Sequence, residues 1–154
     1  MLRHFHGFLI FKAGTFMNSE TVKLLTEAAI SARQKSYCPY SGFAVGAALL
    51  TAGGKIYTGA NIESSSYTPT VCAERVAFFS AVHAGETKFS AIAIVGGKRE
   101  NDIESFGPPC GVCRQVMAEF CKKDFRIILS DGESEKIFTL GELLPESFGA
   151  DNIG

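Results

Sequence analysis

Two short segments of the 154-residue chain carry residue types able to do chemistry together: Cys72-Ala73-Glu74-Arg75 and Pro109-Cys110-Gly111-Val112-Cys113. Cys110 and Cys113 stand three apart, so on a helix they share a face and can pinch one ion. Cys72 supplies a third sulfur. A catalytic tetrahedral zinc uses three protein ligands and keeps its fourth position for solvent, whereas a structural site takes a fourth sulfur or histidine. Spacing leaves Cys38 open as that fourth ligand, while Cys121 lies too far along the helix of Cys113 to reach the same ion. A zinc knuckle, a redox pair or two buried core thiols are the other readings of a lone Cys-x-x-Cys.

Glu74 shifts the balance toward catalysis, while Arg75 can be read either way. A carboxylate two residues after a ligand can approach solvent on the metal if Cys72 sits at a helix edge. Inside a helix, positions two apart point nearly opposite ways. The plainer alternative is a solvated glutamate that favours a helix N-terminus. Three thiolates around one dication leave negative charge, and the Arg75 guanidinium bonded to sulfur would offset it, although a surface ion pair is the commoner role of an arginine.

The elements that must carry these residues are readable from pattern. Val22, Leu25, Ala29 and Ala32 recur at helical spacing over 19–35, capped by Asn18 or Ser19 and stopped before Pro39. Phe43, Val45, Ala47 and Leu49 alternate along a strand over 43–50, and a return strand follows over 55–62. A three-residue loop with Gly54 in the left-handed conformation sets Thr51 opposite Lys55, hence Val45 opposite Asn61 and Phe43 opposite Glu63. A loop over 64–71 leads to a helix over 72–84 closed by Gly85, then a buried strand over 89–95. The polar stretch 96–109 precedes a second helix over 110–122, a strand over 125–129 and a short strand over 136–138. Thr139-Leu140-Gly141-Glu142 has the capping-box form for a last short helix before Pro145. This order implies an α/β fold, one sheet with helices on both faces.

Composition bounds the function. Hydrophobic residues at 46% and charged residues at 20% suit one globular domain and exclude a disordered or fibrous chain. Lys+Arg 15 against Asp+Glu 16 gives a formal charge of -1, without the basic excess of a protein that grips nucleic acid. An odd count of 5 cysteines in a chain of this size points to reduced thiols in an intracellular compartment. No apolar run approaches the roughly 20 residues that span a bilayer. Residues 1–16, with Arg3, His4, His6 and Lys12 and no acid, read as a variable extension ahead of a domain over 17–154. His83, late in a helix, reads as a surface or capping residue.

The two cysteine segments, with Arg114-Gln115-Val116 continuing the second, resemble the small zinc-dependent cytidine deaminases of pyrimidine salvage. The resemblance extends to Tyr40-Ser41-Gly42-Phe43-Ala44-Val45-Gly46-Ala47-Ala48, Gly59-Ala60-Asn61-Ile62-Glu63 and Glu142-Leu143-Leu144-Pro145. It implies a three-layer α/β/α fold around a central mixed five-stranded sheet. It further implies hydrolytic deamination of cytidine and 2′-deoxycytidine, in a cytoplasmic homotetramer with no nucleic-acid or membrane partner. By the same resemblance Cys72, Cys110 and Cys113 hold one Zn²⁺ per subunit and Glu74 shuttles protons. Asn61 and Glu63 address the ribose 3′-hydroxyl, Phe43 packs on the nucleoside, and Ala73 joins these contacts. Tyr67 and Phe148 reach a neighbouring subunit's site, and Arg75 and Gln115 support the zinc sulfurs. The departures are the extension before Met17 and the polar loop 98–106. Two alternatives stay open: a deaminase of the blasticidin S type on the same fold, and a noncatalytic zinc module with Cys38 as fourth ligand.

Overall fold

The computed structural model describes residues 17–101, 103 and 106–153, so the expected extension 1–16 lies outside the described residues. Helix α1 (Ser19–Arg33) begins where Asn18 Oδ1 accepts from the Thr21 amide at 2.8 Å, leaving the preceding backbone extended. Strands β1 (Phe43–Thr51) and β2 (Ile56–Ala60) form a hairpin, followed by α2 (Ala73–His83), β3 (Phe89–Lys98), α3 (Gly111–Phe120), β4 (Arg126–Ser130), β5 (Glu135–Thr139) and α4 (Leu140–Leu143). The sheet order is β2-β1-β3-β4-β5, with β3 and β4 parallel and every other pair antiparallel. Among the described residues no helix is long and apolar enough to cross a membrane.

The hairpin register is the expected one. Gly54 takes φ 86 and the Thr51 amide donates to Lys55 O at 2.9 Å, so Gly46 pairs Ala60 and Asn61 N reaches Val45 O at 3.3 Å. The expectation fails one step further along. β2 ends at Ala60, not at residue 62, because Ile62 leaves the ladder to bridge Tyr37 and Val71. Glu63 therefore does not face Phe43 across a strand pair.

β3 runs to Lys98, three residues beyond its expected end, because Gly96, Gly97 and Lys98 pair with Val45, Ala44 and Phe43. The glycine pair reads as a loop in sequence; here Gly96 makes room for the Phe43 ring, whose Cε1 would lie 3.1 Å from a Cβ at that position. α3 ends at Phe120, with Cys121 already extended, two residues short of expectation.

Period-two alternation sends β1 side chains to both faces of the sheet. Ala47 and Leu49, with Ile92, Ile94, Ile127 and Leu129, pack under α2 and α3 through Ala77, Phe78 and Met117. Ala48 and Leu50, with Ala93, Val95 and Ile128, pack under α1 through Val22, Leu25 and Ala29. Three layers result. Phe78 is fully buried against Phe89, their ring centroids 5.0 Å apart, and burying a side chain of that size contributes about 1.5–3 kcal/mol.

Two glycines set how closely the helices approach. A Cβ on Gly46 would lie 2.0 Å from Ala29 O, and one on Gly59 would lie 2.3 Å from Ala73 O. Gly46 thus admits α1 on one face, and Gly59 draws the first turn of α2 onto β2 on the other.

Candidate active site

Cys72 and Cys110 are the N-cap residues of α2 and α3, both in extended conformation, with φ -76, ψ 156 and φ -67, ψ 165. Neither side chain caps its own helix, which leaves both thiols turned toward a common centre. Cys72 Sγ lies 3.9 Å from Cys110 Sγ, and Cys110 Sγ lies 3.6 Å from Cys113 Sγ. All three sulfurs fall within 4.8 Å of one another. A tetrahedron with zinc–sulfur bonds of about 2.3 Å has sulfur–sulfur edges of about 3.8 Å, so the three thiols already stand at the spacing that ion requires. Two helix N-termini aimed at the cluster favour the anionic form of the sulfurs.

Cys38 is not part of this cluster. Its buried thiol sits against Ser36 Oγ at 3.7 Å and Arg99 Nη1 at 3.9 Å. The reading with a fourth sulfur ligand loses its candidate.

Charge at the site follows from these contacts. The adjacent Cys113 thiol, with Arg75 assisting against the cost of burial, holds Cys72 down to about 5. Cys113 is pushed up in turn by Cys72 and by burial. A metal cation displaces the thiol proton when thiols bind it. Arg75 Nη2 stands 3.6 Å from Cys72 Sγ and 3.4 Å from Thr70 O, the guanidinium-to-sulfur contact anticipated from the charge argument.

Glu74 is only 4% exposed. Burial pushes its carboxyl up to about 7, and the nearby Cys72 thiolate adds to the shift. Because Cys72 caps the helix from outside, Glu74 shares a cavity of about 340 Å³ with Cys72 and Cys110. Phe43, Val45 and Asn61 form a wall of it, Thr70 and Val71 another, and Gly107 and Pro108 its rim. That volume lies within the range of small-molecule sites.

The remaining expected residues divide. Phe43 and Asn61 line this cavity; Asn61 Oδ1 accepts from Val45 N at 2.8 Å and its Nδ2 donates to Phe43 O at 2.8 Å. The amide thus continues the β1 ladder past the end of β2 and retains one donor and one acceptor site. Glu63 and Tyr67 line an adjoining cavity of about 330 Å³ that shares Ser41 and Thr70 with the first. The Glu63 carboxylate accepts from the Ser41 hydroxyl, from Tyr40 N at 2.9 Å and from Ser41 N at 3.2 Å, which holds it below the usual carboxylate range. Ala73 is fully buried in the core behind the site. Gln115 Nε2 donates to Phe148 O at 2.8 Å. Phe148 is 62% exposed and Tyr67 74%.

Thr70, Val71, Gly107 and Pro108 were not expected here. No residue type or spacing marks them, since loop closure alone brings them to the cysteines.

A family model described as the cytidine and deoxycytidylate deaminase zinc-binding region matches residues 19–129. The chain is 46% identical to a cytidine deaminase of Sporosarcina psychrophila over 133 residues, 85% of this chain and 93% of that protein. It is equally identical to a cytidine deaminase of Halalkalibacterium halodurans over 133 residues, 85% of this chain and 96% of the relative. A crystal structure of cytidine deaminase from Burkholderia pseudomallei superposes with a TM-score of 0.75 at 43% identity, covering 86% of this chain and 100% of that one. The cytidine deaminase of Mycobacterium tuberculosis gives 0.69 at 36% identity, covering 82% and 96%. With three thiols at zinc spacing inside the matched region, the chain belongs to the zinc-binding cytidine and deoxycytidylate deaminase family.

Proposed function

We propose that the protein hydrolyses cytidine and 2′-deoxycytidine to uridine and 2′-deoxyuridine, releasing ammonia. The observation that carries this reading is a buried carboxyl, Glu74, that lines one nucleoside-sized cavity with Cys72 and Cys110, two of three thiols at zinc spacing. Cys72, Cys110 and Cys113 would hold the zinc. When bound, that ion supplies the Lewis acidity that makes water a nucleophile near neutral pH.

The chain's own residues supply the rest. Glu74, with a carboxyl near neutrality, accepts the proton of the attacking water and delivers it to N3 of the pyrimidine. C4 gains the hydroxyl; Glu74 then takes the proton of that hydroxyl and passes it to the exocyclic amine, so the C–N bond breaks as C4=O forms and ammonia leaves. Phe43 covers the base, and Asn61 keeps a free donor and acceptor for the sugar hydroxyl. Glu63 supports the same end of the ribose from a carboxylate already fixed by Ser41. Ala73, the first residue of α2, backs the site from the core and contributes to base binding through its place at the start of that helix. Arg75 offsets the thiolate charge; Gln115 acts further out, through the segment that ends at Phe148.

The exposure of Tyr67 and Phe148 supports a homotetramer in which these aromatics enter a neighbouring site. Five free thiols support a cytoplasmic location, the formal charge of -1 gives no support to a nucleic-acid partner, and residues 1–16 are assigned as a variable extension to the 17–154 domain. An ultraviolet assay with cytidine, 2′-deoxycytidine and free cytosine tests the substrate class. Turnover of both nucleosides and not of the base is expected; turnover of cytosine, or of none, contradicts the reading.

A further inference from the structure

Cys110 is the one exposed thiol of the three, and its helix offers little packing to hold it: α3 buries only Cys113 and Met117. Support comes instead from one residue a turn further on. The Arg114 amide donates to Cys110 O at 3.0 Å, and Arg114 Nε donates to Pro109 O at 2.7 Å. Both carbonyls that bracket Cys110 are therefore bound by Arg114. Nη1 of the same guanidinium donates to Leu143 O at 2.7 Å, near the end of α4, where helix carbonyls lack intrahelical partners. Pro109 is fully buried and cannot rotate about φ, so the plane of the 109–110 peptide is set by what its carbonyl meets.

We propose that Arg114 is the positioning residue of the Cys110 ligand, fixing its main chain from both sides and anchoring it to α4. The neighbouring Gln115 extends the seam to Phe148 O, so α3 carries the C-terminal segment on the side chains that follow its ligands. A lysine cannot replace this arginine. Its single ammonium cannot reach two divergent carbonyls at once, whereas the planar guanidinium presents donors on separate edges. The proposal rests on Cys110 holding zinc.

Full-length protein loaded with zinc, and separately with cobalt(II), provides the test. Zinc affinity is read by competition with a chromophoric chelator, and thiolate geometry by the visible bands of the cobalt form. Loss of a group that orients a ligand lowers metal affinity about 10- to 100-fold, and that is the fall expected for both Arg114→Ala and Arg114→Lys, with shifted cobalt bands. Lys23→Ala, at an exposed residue of α1 on the opposite face of the sheet, serves as control and keeps both properties. If Arg114→Ala does not fold, as read by circular dichroism, Arg114→Lys carries the test. Native zinc affinity and native cobalt bands in a folded Arg114 variant overturn the proposal. Cobalt bands unchanged in Cys110→Ser would instead remove Cys110 as a ligand, and with it the reading on which the proposal stands.

Discussion

Helices α2 and α3 deliver the cysteines from matching N-caps, yet the two ends are held by different forces. α2 is sunk into the core: Ala73, Ala77, Phe78 and Ala81 are fully buried, and Gly59 lets its first turn close on β2. α3 lies across the surface and is fastened at its start by hydrogen bonds from Arg114. The acid sits on the packed end. That placement has a physical reason, since burial lifts a carboxyl toward neutrality, the range that the proton exchange proposed for Glu74 calls for. The exposed sulfur, Cys110, sits on the other end. On the proposed mechanism, one end serves proton transfer and the other holds an ion where solvent and substrate can reach it.

The largest effect expected from breaking this arrangement is removal of the ion that joins the two ends. Dialysis against a strong chelator, or Cys113→Ala, is expected to abolish deamination while circular dichroism keeps its native form, because apolar packing through the Phe78–Phe89–Phe120 cluster holds α2 and α3 to β3. Zinc restores the dialysed protein and not the variant. Gly59→Ala strikes the packed end alone. With a Cβ at 2.3 Å from Ala73 O, backbone must move, and a loss of about 1–3 kcal/mol in thermal or urea unfolding is expected, together with lower turnover.

Next in size is Thr139→Ala, which loosens α4, the anchor of the Arg114 seam. Thr139 and Glu142 form a reciprocal cap, and removing it is expected to cost about 0.5–2 kcal/mol. The hydrogen bonds from Thr139 hold the Glu142 carboxyl below its ordinary value. Its contribution is accordingly complete above the unfolded carboxylate pKa and disappears as pH falls through the lowered folded value. The penalty of Thr139→Ala, measured by unfolding as a function of pH, should shrink on acidification and not on alkalinisation. The smallest effect belongs to Gly111→Ala at the exposed end: no atom lies within 4 Å of the new Cβ, so stability should hold or rise by up to about 1 kcal/mol.

Much of this was legible from residue type and spacing. The sulfurs and Glu74 announce themselves because metal and acid chemistry admits few residue types, and the hairpin register followed from Gly54 and a period of two. What stayed hidden depends on partners distant in sequence. The departure of β2 at Ile62 is caused by Tyr37 and Val71, and the extension of β3 through Gly96 by the Phe43 ring. Likewise Gln115 meets Phe148, and Arg114 meets Leu143, only after α4 has docked. Local pattern contains no trace of such contacts.

Turnover of cytidine by the zinc-loaded Glu74→Gln protein addresses the central claim, that a buried acid beside three thiolates moves the protons. Glutamine keeps the shape and cannot exchange a proton, so a fall of at least about 10²- to 10⁴-fold in kcat is expected with zinc content unchanged. Near-native turnover with zinc retained would contradict the account.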